Sequence, residues 1–290
     1  MMDHLRTLVG MFPEALAAGL LIASACALLG VFVILKRVVF IGIALSEVAA
    51  CGVAAAMLVH VHPFIGASAL ALAAVALLAW PFEHERVPRD AVLGVIFVLA
   101  AGLSILLVAR SGFGLQEVKA LLYGDLILTS GRDLLVVAAV LVPLLAYLLL
   151  FLRPTLYTFV DRDAAKVLGI RTRVWEFLYF AALGLAVAAA SKVAGALLVF
   201  CYLAVAPAAA LLLARRLGSV LVAAVILAIA STLVGLYWSV SRDLPTNPSI
   251  AVVCCGCFAL AAVWNGMRRV FSGKGGRSSR GRGEAGAPGP

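Results

Sequence analysis

Apolar residues along this 290-residue chain come in long runs, and the charges, prolines and paired turn residues are confined to the stretches between them. A helix needs about 20 apolar residues to cross the roughly 30 Å hydrocarbon core of a bilayer. On that measure the runs predict nine spanning helices, over 13–35, 39–59, 64–82, 91–109, 133–152, 175–191, 193–214, 219–240 and 249–267. Turn chemistry divides them. His60-Val61-His62-Pro63 ends the second run, Pro88 precedes the fourth, and Leu244-Pro245-Thr246-Asn247-Pro248 separates the last two. Ser191-Lys192 is a tight junction, where the sixth and seventh spans are expected to meet through a short broken helix. The fold class that follows is all-α, a polytopic transmembrane bundle over residues 1–271.

Two stretches do not fit a span. Leu115 to Leu128 is short and carries Glu117, Lys119 and Asp125, so it reads as a re-entrant or surface helix. Residues 272–290 are rich in Gly, Ser, Arg and Pro, a composition that cannot bury a core and predicts a disordered tail. Composition agrees with lipid as the main solvent. The chain is 64% hydrophobic and 13% charged, with a mean hydropathy of +1.13; soluble domains are about half apolar and a quarter charged.

Basic residues give the sidedness, because Lys and Arg collect on cytosolic loops. With the N-terminus outside, 17 of the 23 basic residues fall on cytosolic segments and 6 on outer ones. The chain is therefore expected to run N-out and C-in across a bacterial inner membrane, with an odd number of crossings. The net charge of +9 is accounted for by these edges and the tail, and implies lipid headgroups rather than nucleic acid. The six cysteines lie inside apolar runs and do not form a secreted disulfide framework.

Away from the ends of the spans, one charged residue sits well inside: Glu47. A carboxylate at membrane depth costs about 2.5–3.5 kcal/mol on insertion scales, so it needs a partner, water, a proton or a cation. Its neighbours from Ala44 to Ala56 are mostly small, which lets other helices approach closely. Glu47 thus faces either a translocation path or a polar group on another helix. Ile43, Glu47 and Cys51 share one face, four residues apart. Glu47 and Cys51 would offer oxygen and sulfur to one ion, a mix suited to zinc; in the other reading Cys51 merely packs. His60 and His62 at the outer mouth either meet an incoming divalent ion or simply form a turn. Cys254, Cys255 and Cys257 point in different directions on a helix and read as packing. His84 falls in a charged inner loop and reads as solvated.

On the cytosolic side, 161–170 reads as one short amphipathic helix. Asp161 caps its start, Asp163 suits the positive end of the dipole, Lys166 lies toward the other end and Gly169 terminates it. Ala164, Val167 and Leu168 form its apolar face. Such a helix either docks a soluble motor or lies on the membrane surface. The chain carries no G-x-x-x-x-G-K-[ST] run, so any ATP hydrolysis belongs to another polypeptide and this chain is not itself an enzyme.

These residues together resemble the metal-type ABC permeases, which take up zinc, manganese or iron. The resemblance runs from about Pro13 to Trp264. It is carried by Leu29 to Arg37, Gly42 to Gly52, Tyr123-Gly124-Asp125-Leu126-Ile127, Asp163 to Ile170, Val193 to Val199, Ala206-Pro207-Ala208-Ala209 and Asp243 to Ile250. It implies a type II fold like that of vitamin-B12 importers, working as two copies of the permease. It also implies a cytosolic ATP-binding subunit contacting 161–170, an extracytoplasmic metal-binding protein, and a divalent metal as transported substrate with no bound cofactor. Many members carry an Asp and a His four residues apart on the second span for metal coordination. Here those positions hold Ile43 and Glu47, so the fold and transport role carry over more directly than the metal. The alternative is an ion- or proton-coupled secondary transporter with Glu47 as carrier. A membrane enzyme or scaffold is disfavoured, since no nucleophile–base pair stands out on the spans.

Overall fold

The computed structural model describes residues 13–79, 89–110, 124, 126–160 and 162–273. Among the described residues all regular structure is helical: α1 (Pro13–Leu35), α2 (Phe40–Leu58), α3 (Pro63–Ala79), α4 (Arg89–Arg110), a 3₁₀ turn (Leu126–Leu128), α5 (Gly131–Leu150), α6 (Leu152–Val160), α7 (Arg162–Val167), α8 (Thr172–Leu213), α9 (Leu217–Arg242) and α10 (Thr246–Gly273). In hydrocarbon a chain must satisfy its own backbone polar groups, and a helix does so within one segment. Seven of these helices are long and apolar enough to cross a membrane, and α3 supplies a shorter apolar helix, Pro63–Leu78.

Burial sorts the helices into an inner and an outer set. The most apolar window is 78% buried in α2 and 67% in α1, against 22% in α4 and α5 and 17% in α10. Exposed Val95, Leu99 and Leu106 on α4 and Leu135 and Leu149 on α5 are side chains suited to lipid. Glycines set the inner contacts. A Cβ at Gly30 would strike the backbone of Leu203 on α8, and a Cβ at Gly52 would strike the backbone of Gly66 on α3.

The 42 residues of α8 are not one straight rod. Gly195 has φ 70° and ψ 162°, outside the helical region. The Tyr179 hydroxyl donates to Leu29 O at 2.5 Å, and Leu203 lies against the next residue of α1, Gly30. In a straight helix Tyr179 and Leu203 would stand about 36 Å apart. Since both reach one place on α1, α8 folds back sharply at Gly195.

The sequence placed this junction at Ser191-Lys192. It moves three residues on, because a positive φ of this kind is open to glycine and closed to Ser or Lys. Lys192 stays helical and donates to Asp133 Oδ1 at 2.6 Å. The bend is filled from two sides. Asn247 Nδ2 donates to the Ala194 carbonyl at 2.9 Å, and Gly124, itself at φ 58°, packs against Ala194 and Gly195.

The starts of α5 and α10 therefore meet the bend of α8 at one end of the bundle, and Glu14 brings the start of α1 there beside Gly131. At the other end Lys36 of the α1–α2 turn meets Glu176 near the start of α8.

One element was not foreseen. Residues 153–160, beyond the expected end of the fifth span, lie in α6, with Pro154 in its first turn where a missing N–H costs nothing. Leu115 to Leu128 was expected as one helix. Residues 111–123 and 125 lie outside the described residues, and the remainder is the 3₁₀ turn, with Leu126 fully buried. His84, Asp161 and the tail beyond Gly273 also lie outside them.

Candidate functional site

The second helix owes its position to small side chains on three sides. Gly42 admits Leu203 and Phe200 of α8, and Gly52 admits Gly66 and Ala67 of α3. Val48 and Cys51 pack with Ala100 of α4, among Leu70, Ala74, Ile96 and Leu107. Glu47 is on this helix with 6% of its surface exposed. Its Oε2 has no hydrogen-bond partner among the described residues. The adjacent Ser46 gives it no help, since its hydroxyl donates to Gly42 O at 2.9 Å. The two ion pairs among the described residues, Lys36–Glu176 and Lys192–Asp133, leave Glu47 without a basic partner. Of the two settings the sequence allowed for this carboxylate, the bonded polar partner is not what these contacts provide.

Cys51 is buried one turn further along the same helix. Among the described residues no three His, Cys, Asp or Glu side chains converge within one chain to hold a metal ion. Ile43 is half-buried. One copy of the chain thus supplies a single unpartnered carboxylate with a thiol nearby, which is an incomplete ligand set for a divalent cation.

The histidines are in the exposed turn between α2 and α3. His60 has φ 57°, and His62 Nδ1 accepts from Phe64 N at 3.3 Å, at the start of α3. This geometry explains both residues as turn formers. The three clustered cysteines diverge as expected: Cys254 is buried, Cys255 exposed and Cys257 between.

The short helix predicted over 161–170 is present as α7. Gly169 ends it at φ 73°, with Leu168 N donating to Ala164 O at 3.0 Å and Ile170 N to Ala165 O at 2.9 Å. Its apolar residues divide between two sides. Ala165 is the residue that turns inward and is fully buried, whereas Val167 is 88% and Leu168 61% exposed. Ala164 is partly covered. Both α6 and α8 pack against this helix. Asp163 is in α7 and Lys166 one turn on, but their side chains lie outside the described ones.

Sequence reasoning missed the packing beneath α7. Phe159 of α6 meets the Tyr179 ring at 4.7 Å, Phe32 at 6.1 Å and Phe180 at 6.1 Å. Lys36 Nζ stands 5.0 Å from the Phe159 ring centre while paired with Glu176. Lys36 and Glu176 are 140 positions apart, so no local pattern joins them.

Comparison with known proteins adds to this geometry. The sequence profile of the ABC 3 transport family matches residues 10–265. The manganese transport system membrane protein MntC of Halalkalibacterium halodurans is 30% identical over 260 residues, covering 89% of this chain and 89% of that protein. The high-affinity zinc uptake system membrane protein ZnuB of Haemophilus influenzae is 28% identical over 251 residues, covering 87% and 96%. Among solved structures, PsaBC from Streptococcus pneumoniae in complex with Fab superposes with a TM-score of 0.81 at 21% identity, covering 90% of this chain and 95% of that one. That likeness shows a shared fold. The apolar helices and the family match together make this a multi-pass membrane protein, and the chain belongs to the ABC 3 transport family.

Proposed function

We propose that this chain is the membrane-spanning permease of an ATP-driven importer of divalent metal ions, zinc or manganese, in a bacterial inner membrane. The observation that carries this reading is Glu47, a buried carboxylate with an unpartnered oxygen on the most enclosed helix of a permease-family bundle. A charge kept in such a place calls for a functional reason. A passing divalent cation supplies one. One carboxylate leaves a divalent ion half-neutralised, so the permease works as two copies, each contributing its own Glu47. The relatives named for manganese and for zinc support the cargo class. Oxygen and sulfur from Glu47 and Cys51 lean toward zinc; a carboxylate alone serves manganese equally.

The bundle is of the type II importer kind, with nine crossings. Counting α8 as two and α3 as one brings the seven long helices to nine. An odd count puts the two termini on opposite sides, and the basic residues put the N-terminus outside. His60 and His62 then lie at the outer mouth, where an extracytoplasmic metal-binding protein delivers its ion. Lys36, α6 and α7 lie at the cytosolic end. A separate ATP-binding subunit docks there on α7, with Val167 and Leu168 as its apolar contact. Asp163, Ala164, Lys166 and Gly169 make up the rest of that element.

Uptake of isotopic zinc and manganese into vesicles holding the assembled transporter tests the reading. Glu47→Ala is expected to abolish ATP-dependent uptake while leaving assembly with the ATP-binding subunit intact. Unchanged uptake in that variant would remove Glu47 from the path. Full uptake without ATP, driven by a proton gradient, would replace the importer by a secondary transporter.

A further inference from the structure

Three elements meet at the α7 end of the bundle. The α1–α2 turn brings Lys36, α6 brings Phe159, and the first turns of α8 bring Glu176 and Tyr179. Lys36 bridges the other two, paired with Glu176 and 5.0 Å from the centre of the Phe159 ring. Both charged side chains are largely covered, at 19% exposure each. Tyr179 is fully buried and holds the same aromatic group to α1 through Leu29 O. The Phe159 ring is 9% exposed and enclosed by Lys36, Phe32, Tyr179 and Phe180.

The order along the chain gives this cluster its meaning. Phe159 lies at the end of α6, and α7 begins at Arg162. Any displacement of α7 therefore pulls on that ring. Close-packed side chains transmit displacement rather than absorb it. The ring bears on Lys36, and α2 starts four residues later at Phe40. Glu47 is a further seven residues along, about 10 Å up the helix.

We propose that Lys36, Phe159 and Glu176 form the joint through which movement of α7 reaches α2 and its carboxylate. This rests on the reading above that α7 meets the ATP-binding subunit. The three act as positioning residues and touch no cargo. A partly desolvated cation held by a carboxylate and an aromatic face is directional. Turning either charge around uncouples the elements, and exchanging both restores the ion pair but not the cation on the ring face.

The test uses the complete transporter in proteoliposomes: permease, ATP-binding subunit and binding protein. Metal uptake and ATP hydrolysis are measured in the same vesicles, and assembly by co-purification. Lys36→Glu and Glu176→Lys are each expected to lower metal transported per ATP about tenfold, within the range over which coupled sites act, with ATP hydrolysis and assembly retained. The double exchange should recover part of the loss, to about the level of Phe159→Leu, since it restores the ion pair and not the ring contact. Phe159→Leu, which keeps bulk and removes the ring face, should lower the ratio as well.

A normal ratio in the single variants overturns the joint, as does a double exchange no better than the singles. Where the reversals fail to insert, Lys36→Met and Phe159→Leu decide: a lowered ratio supports the joint. A normal ratio with reduced thermal stability makes the cluster a static anchor and overturns the proposal. Failure of the docking reading shows differently, as a Val167→Asp variant that still co-purifies with the ATP-binding subunit.

Discussion

Single small residues set the spacing of the inner helices. Gly52 and Gly66 face each other with no room for a side chain on either. Gly102 on α4 has no atom within 4 Å of where a Cβ would stand. Gly52→Ala should destabilise the bundle by about 1–3 kcal/mol through overpacking, while Gly102→Ala should be neutral or gain up to about 1 kcal/mol in helix propensity. Thermal unfolding of the purified protein in detergent measures both. Glu47 was legible in the sequence because a charge inside an apolar run stands out without any tertiary knowledge. Its lack of a partner was not, since that depends on what α3, α4 and α8 bring toward it. Cys51 and the two histidines were legible as residue types; the burial of Cys51 and the exposed turn that holds His60 and His62 were not.

At the scale of elements, α8 carries the largest difference between pattern and structure. Gly195 stands in an apolar run where small residues are ordinary, so nothing local marks it as the bend. The bend is fixed by Asn247 and Gly124, from segments more than fifty residues away in either direction. Gly195→Ala should cost about 1–3 kcal/mol, because alanine is strained at that backbone conformation. Asn247→Ala should cost a similar amount, about 1–3 kcal/mol, by leaving the buried Ala194 carbonyl without its donor. The two losses should be less than additive, since both loosen one bend; unfolding of the double variant checks this. The helix expected over 161–170 is shorter, Arg162–Val167, and Gly169 follows its end at positive φ. Val167 and Leu168 are left exposed while Ala165 is buried, and α6, against which α7 packs, has no mark in the apolar pattern.

For the molecule as a whole, lipid selects helices and the basic residues select an orientation. The contacts group the starts of α1, α5 and α10 with the bend of α8 at one end, and Lys36, α6 and α7 at the other. On the proposed orientation, a reporter active only in the cytosol should work when fused after Gly273 and fail when fused before Pro13. The reverse pattern would place α7 outside, away from any source of ATP, and would remove the docking reading. The resemblance read from motifs between Pro13 and Trp264 agrees closely with the family match over 10–265.

Hydrophobic length, turn residues and charge asymmetry are local or additive properties. By themselves they determined a helical membrane bundle with a lone acidic residue on its second helix, and the ordered motifs from Pro13 to Trp264 carried the likeness to its family. The tertiary structure alone decided where α8 turns, which side of α7 faces inward, and that Lys36 meets Glu176 over Phe159. Each of these depends on contacts between residues far apart in the chain. Lipid makes every apolar run equally acceptable, so only close packing of small residues and pairing of buried polar groups distinguish one arrangement of the helices from another.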